Sequence, residues 1–237
     1  MFNDISQFNP ALFEFISRGA LSDQSSEDEF NRLALHLFRI QFAAVEPYRR
    51  LCEARKMTPE TVRHWSEIPA IPTAAFKDLE LTSIPAEQRT AVFHSSGTTE
   101  QRPSRHFHSA NSLAVYERSL LPWFNQHLLA DWEDLIENEV VGPLDKPGFI
   151  FLTPSPKDAP NSSLVHMFET VRREFGSRDS FFAGRLDADK AWGLDIEQAL
   201  FGIRKSMCAN RPICILGTAF SFVHLLDHFE TNNMRYR

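Results

Sequence analysis

A chain of 237 residues, 43% hydrophobic and 24% charged, has ordinary globular makeup and length for one domain, or one and a half, around a sizeable core. Its formal charge of −6 argues against a dedicated nucleic-acid binder, which would carry a basic face. With no apolar run near transmembrane length, and neither a basic leader nor an apolar h-region at the N-terminus, the chain reads as cytoplasmic and not membrane-spanning. Three cysteines, Cys52, Cys208 and Cys214, are odd in number and lack a C-x-x-C spacing, which reads as free thiols in a reducing compartment. Twenty-one Phe are enough to line a fatty acyl pocket or, more simply, to fill an aromatic-rich core.

In chain order, residues 1–25 read as a short helix and a connector. Ser26 with Glu29 makes a capping-box pattern, and Phe30, Leu33, Ala34, Leu37 and Phe38 follow at helical spacing, predicting a helix to about Val45. Pro47 suits the first turn of a second helix, and Thr58-Pro59 predicts a third that ends near Trp65. Pro69 and Pro72 then force an extended path from Trp65 to Phe76-Lys77. Lys77 reads as a solvated surface lysine, with a nucleotide-facing role as the sharper alternative.

The short apolar run Thr90-Ala91-Val92-Phe93 predicts a strand, and it runs into Ser95-Ser96-Gly97-Thr98-Thr99. Gly97 can take φ > 0, so successive backbone N–H groups there can converge on an anion. The hydroxyls add rotatable donors, and Arg102 and Arg105 add positive charge. Such a loop suits a phosphate chain; the plain alternative is a polar turn. His106-Phe107-His108 continues in extended form, with both histidines on one face, but no third metal ligand is evident among His94, His106 and His108. Ser109 can cap a helix that Pro122 ends or kinks, and Asp131 to Glu139 reads as a solvated helix face.

Gly148 to Leu152 reads as a buried strand, closed by Thr153-Pro154-Ser155-Pro156 and followed by a helix from Asn161-Ser162-Ser163 through Phe175. Phe181-Phe182 is a further strand, Asp195 to Cys208 a helix, and Pro212 to Leu216 a third buried strand. Gly217-Thr218 then opens a helix from Phe220 to Phe229, in which His224 and His228 lack the Glu of a metalloprotease pair. Strand, loop, helix is the βα unit of an α/β sheet, with loops at the strands' carboxyl ends open to ligands. There is no Walker-type Gly-x-x-x-x-Gly-Lys, no Gly-x-Gly-x-x-Gly and no Gly-x-Ser-x-Gly, which argues against Ser95 or Ser96 as a nucleophile.

Ser95-Ser96-Gly97-Thr98-Thr99 resembles the phosphate-binding loop of adenylate-forming enzymes, which activate carboxylates with ATP. From about residue 26 to 230 the chain resembles acyl-protein synthetases of the LuxE type, with phenylacetate–CoA ligases as more distant relatives. The segments that carry this are the loop, the preceding Trp, prolines and Phe-Lys (Trp65 to Lys77), the strand with Ser162-Ser163-Leu164 and Met167 after it, and the Gly217-Thr218 turn. The resemblance implies an α/β fold: a helical region over 1–66, then βα units of an adenylate-forming large domain over 67–237. Its mixed sheet is expected to include strands 90–93, 148–152 and 212–216. It implies that ATP, with Mg²⁺, and a fatty acid or other carboxylate give an acyl-adenylate and pyrophosphate, the acyl group passing to an acceptor protein of reductase type. Ser95, Ser96, Gly97, Thr98 and Thr99 would hold the phosphates with Arg102 and Arg105, and Gly217 and Thr218 would lie near the substrate pocket. No catalytic residue and no protein metal ligand is assigned.

Two departures stand out. Glu100 replaces the Gly common after the double Thr, which is electrostatically unfavourable beside a triphosphate unless it turns away or holds the metal. The family's adenine and ribose motifs, its lid and its acyl-accepting cysteine would follow Arg237. The expectation is therefore the N-terminal part of a ligase, inactive by itself and prone to associate through an open edge at 212–216 and an apolar face on the next helix. The other reading is a non-catalytic binding module on the same scaffold.

Overall fold

The computed structural model describes residues 5–19, 26–95, 103–142, 145–188 and 191–235. The chain divides into two compact units, 1–126 and 127–237.

The first unit opens with three helices, α1 (Ile5–Gly19), α2 (Glu27–Ala44) and α3 (Glu46–Ala54). Three acidic residues in the first turn of α2 favour its start through the helix dipole. Ser26 holds the N-cap position, but its side chain makes no capping bond, so the expected capping box does not form. Glu29 instead accepts from the Arg18 guanidinium of α1 at 2.6 Å, a charge-assisted bond stronger than one to a backbone amide. Pro47 sits in the first turn of α3, where a missing N–H costs nothing. Phe38, Val45, Tyr48, Cys52 and Val62 make the core of these helices.

The expected helix from Thr58 to Trp65 is a correction. Thr58 and Thr61 close a local turn, with the Thr58 N–H donating to Thr61 Oγ1 at 2.9 Å. The Arg63 and His64 N–H groups then donate to Glu67 Oε2 at 2.8 and 3.1 Å, and only the single 3₁₀ turn Trp65–Glu67 follows. Short polar side chains competed with the helix for its own backbone groups. The Pro-rich segment is extended as its prolines require, and is tethered where the Tyr48 hydroxyl donates to the Pro69 carbonyl at 2.9 Å. It ends in the one-turn helix α4 (Ala75–Asp78).

Strand β1 (Ala91–His94) pairs antiparallel with β2 (Arg105–His108), Phe93 opposite His106. Helix α5 (Ala110–Leu128) starts with reciprocal serines: the Ser109 N–H donates to Ser112 Oγ at 2.9 Å, and the Ser112 N–H to Ser109 Oγ at 3.3 Å. Pro122 does not divide this helix as expected. It removes one donor, but burial of Phe124 beyond it holds the last turns in register.

The second unit is an α/β layer. Its elements in order are α6 (Trp132–Glu137), β3 (Gly148–Phe151), α7 (Ser163–Phe175), β4 (Phe181–Phe182), β5 (Gly184–Leu186), β6 (Trp192–Leu194), α8 (Ile196–Cys208), β7 (Ile213–Leu216) and α9 (Ala219–Thr231). The sheet runs β4-β3-β7, all parallel, with Ile150 beside both Phe181 and Ile215. Alternation along β3 sends Phe151 toward Phe168 of α7, ring centroids 5.2 Å apart. The neighbours Ile150 and Leu152 pack with Ala199 and Ile203 of α8 and Leu225 of α9. A strand covered on both faces reads as an unbroken apolar run, as 149–152 does.

The single mixed sheet joining 90–93 to 148–152 and 212–216 is also a correction. Among the described residues β1 pairs with β2 alone, because closing a short local hairpin costs less chain entropy than reaching a distant strand. The antiparallel hairpin β5–β6 was not anticipated at all. Strand β7 is an edge strand among the described residues, and Phe220, Val223 and Leu226 of α9 are exposed. No helix among the described residues is long and apolar enough to cross a membrane.

Candidate functional site

In the first unit the expected phosphate loop is the connection between β1 and β2. Its base is fixed by two serines: the Ser95 N–H donates to the Ser104 carbonyl at 3.3 Å, and the Ser104 N–H donates to Ser95 Oγ at 3.0 Å. Ser95 is exposed and Ser104 is buried. Ser96, Gly97, Thr98, Thr99 and Arg102 lie outside the described residues, as does Glu100. Arg105 begins β2 and is exposed, its guanidinium 5.8 Å from the Phe107 ring centroid. Arg89, which sequence reasoning passed over, lies over the same ring at 4.4 Å and bonds Glu80 at 2.6 Å. That bond holds the Glu80 carboxyl below its ordinary range.

His106 and His108 of this hairpin are engaged by serines and rings. His106 Nε2 lies 2.9 Å from Ser104 Oγ, and its ring centroid is 4.9 Å from that of Phe76 on α4. His108 Nδ1 is 3.2 Å from Ser112 Oγ. Among the described residues no group of three or more His, Cys, Asp or Glu could hold a metal ion.

In the second unit Gly217 and Thr218 follow β7 at the carboxyl end of the parallel sheet. The chain leaves β3 for β4 on one side and returns to β7 on the other, so the crevice between β3 and β7 is the topological switch point, where open α/β sheets bind ligands. There the Leu152 N–H donates to the Leu216 carbonyl at 2.7 Å. A Cβ on Gly217 would stand 2.8 Å from Leu152 Cβ and 2.6 Å from Ser221 Oγ, so this backbone comes close only as glycine. The Thr218 hydroxyl caps α9, accepting the Ser221 N–H at 3.2 Å. Thr153, one residue past Leu152, is fully buried and its Oγ1 has no hydrogen-bond partner among the described residues. The sequence signal for it was only a Thr-Pro turn after an apolar run.

All three cysteines are free thiols. Burial pushes the Cys52 and Cys214 thiols up from their ordinary value, whereas Cys208 is exposed.

A comparison with protein-family models matches residues 15–235 to acyl-protein synthetase, LuxE. No curated protein and no solved structure matches the chain. Acyl-protein synthetases are ligases that join the acyl group of a carboxylate to a protein. The match spans almost the whole sequence and agrees with the resemblance carried by the loop, the strand at 148–152 and the Gly217-Thr218 turn: the chain belongs to the LuxE acyl-protein synthetase family.

Proposed function

We propose that this chain activates a long-chain fatty acid with ATP, for transfer of the acyl group to a protein thiol. A carboxylate oxygen attacks the α-phosphorus, the bond to the β-phosphate oxygen breaks, and pyrophosphate leaves with its charge. The acyl-adenylate then gives its acyl group to the thiolate of an acceptor protein of reductase type, with AMP departing. The observation that carries this reading, beside family membership, is the hairpin base. Ser95 and Ser104 hold the two ends of a segment rich in hydroxyl and backbone donors.

In this reading Ser95, Ser96, Gly97, Thr98 and Thr99 receive the charge that develops on the leaving pyrophosphate, and Arg102 and Arg105 add a positive field. Donors fixed in advance stabilise such charge without reorganising during the reaction. Mg²⁺ would enter with the triphosphate and partly neutralise it; no described residues are assigned as its ligands, and no step depends on them. Gly217 and Thr218, at the carboxyl end of the parallel sheet, would lie near the substrate pocket in this reading.

Carboxylate-dependent ATP–pyrophosphate exchange by the purified protein tests the reading, with saturated acids of increasing length as substrates. Thr98→Ala is expected to slow exchange by about 100-fold, the usual cost of one preorganised donor. An unchanged rate removes the loop from the chemistry. Binding of ATP or acid with no exchange for any acid favours a non-catalytic binding module.

A further inference from the structure

The first unit contains an apolar cleft of about 340 Å³, within the size range of small-molecule sites. It is lined by the buried Phe38 and Val45, by Ile71 of the Pro-rich crossing and by Phe76. The Tyr48 hydroxyl reaches it already committed to the Pro69 carbonyl, and burial keeps that phenol neutral. Gln41 supplies the cleft's other polar side chain, and no charged residue lines it among those described. An anionic head inside would be desolvated without a partner, which excludes a phosphate or carboxylate as the buried part. An uncharged, flexible apolar body fits.

One lining residue of the cleft also touches the base of the candidate phosphate loop. The Phe76 ring lies tilted against His106 at 4.9 Å, His106 bonds Ser104 at 2.9 Å, and Ser104 bonds Ser95 at 3.0 Å. The Phe76 ring is thus shared by the cleft and the hairpin. Two recesses in the second unit fit an alkyl chain less well. One at the amino end of β3 holds only about 80 Å³ behind a rim where Lys205 pairs with Asp179 at 2.7 Å, and the other, of about 340 Å³, is lined by the charged Glu139, Asp145 and Arg211.

We infer that this cleft binds the alkyl chain of the acyl substrate, with its carboxylate left outside toward the β1–β2 hairpin. The identity of the chain as a fatty acyl group rests on the function proposed above; the location rests on the cleft alone. Chain length is then read by α2 and the Pro-rich crossing, with Ala34 and Leu37 as gauges on the α2 side.

Displacement of a fluorescent fatty acid, 11-(dansylamino)undecanoic acid, by saturated acids of 6 to 16 carbons tests this without ATP. Affinity is expected to rise about fourfold per methylene until the cleft is full, then level off. Ala34→Phe, which fills the cleft from α2, is expected to weaken tetradecanoic acid about tenfold or more, as loss of two buried methylenes would. If that variant melts early, Leu37→Asp, at an exposed position on the rim, supplies the same readout without filling the core. Length-independent affinity, or wild-type binding of tetradecanoic acid by both variants, overturns the inference. Length-dependent binding without pyrophosphate exchange leaves the cleft standing and removes the adenylation reading. Exchange whose KM ignores chain length, and which Ala34→Phe leaves unchanged, does the reverse.

Discussion

Strand β1 of the hairpin and strand β3 of the parallel sheet are each four residues long, but different forces order them. In β3 Phe149, Ile150 and Phe151 are almost wholly buried between α7 on one face and α8 with α9 on the other. In β1 only Phe93 is buried, and the strand is completed by register with β2 and by the serine pair at its end. The sheet is held by apolar burial, so the bonds of its loops can be varied at small cost to the fold. The hairpin is held by local hydrogen bonds, so the residues that close it are also those nearest the proposed chemistry. Stability and function should therefore separate in the second unit and overlap in the first.

The largest effect expected is at Phe151. Phe151→Ala removes a fully buried ring packed on Phe168 and Phe182, and should cost about 3–5 kcal/mol in denaturant unfolding. Phe107→Ala in the hairpin removes a half-buried ring and should cost clearly less. Equal losses would end the distinction between the two regions.

A smaller loss, about 1–3 kcal/mol, is expected for Gly184→Ala, since the added methyl must displace a packed neighbour. A Cβ there would stand 2.1 Å from the Thr153 carbonyl carbon, and that backbone is tied by the Gly184 N–H to Thr153 at 2.9 Å. For Gly193→Ala, on the partner strand of the same hairpin, the three nearest atoms all belong to the Asp187 carboxyl, the closest at 2.6 Å, a side chain that can swing aside. Thermal melts of the two variants should differ; a match would mean that the Thr153 backbone yields readily.

What the sequence disclosed follows the same division. Strand 148–151 was legible because burial on both faces leaves an unbroken apolar run. Strand 213–216 was legible from its apolar run although it is only half-buried, not buried as expected. Helices α7, α8 and α9 were legible from Ser162, Asp195 and Thr218, each of which caps as its type suggests. Hairpin β5–β6 was not, because Arg185, Leu186 and Trp192 are exposed and carry no apolar alternation. The segment after Thr58 misled because its helix signals, a threonine and a proline, serve a turn equally well. Of the candidate site, the strand before the loop and the Gly217-Thr218 turn were readable locally. The closeness of Gly217 to Leu152 was not, since it depends on pairing between strands more than sixty residues apart.

Tyr48→Phe should cost about 1–3 kcal/mol at neutral pH by leaving the buried Pro69 carbonyl without its donor. Burial first, then the neighbouring Cys52, raises the Tyr48 pKa above its ordinary 10.0. The folded chain thus holds this proton more tightly than the unfolded chain. That contribution is complete below about pH 10 and is lost as the pH rises toward the higher folded value. Wild-type stability should fall more steeply above pH 10 than that of Tyr48→Phe, and parallel curves would mean that water reaches the phenol.

The smallest stability change, and the one that bears most on function, belongs to Ser95→Ala. Its hydroxyl accepts the N–H of Ser104, and the reciprocal bond from the Ser95 N–H to the Ser104 carbonyl remains after the change. Loss of one such bond at a position open to water should cost about 1 kcal/mol or less in unfolding. In the second unit a loss that small would leave the carboxyl end of the sheet in place, because packing fixes it. In the hairpin the same bond sets where the loop leaves β1, so pyrophosphate exchange should fall well beyond what the stability change accounts for. Ser95→Thr restores the hydroxyl and should recover most of the rate while Ser95→Ala does not. If exchange and stability fall together in both variants, Ser95 only closes a hairpin, and the loop's geometry is set by residues other than the serine pair.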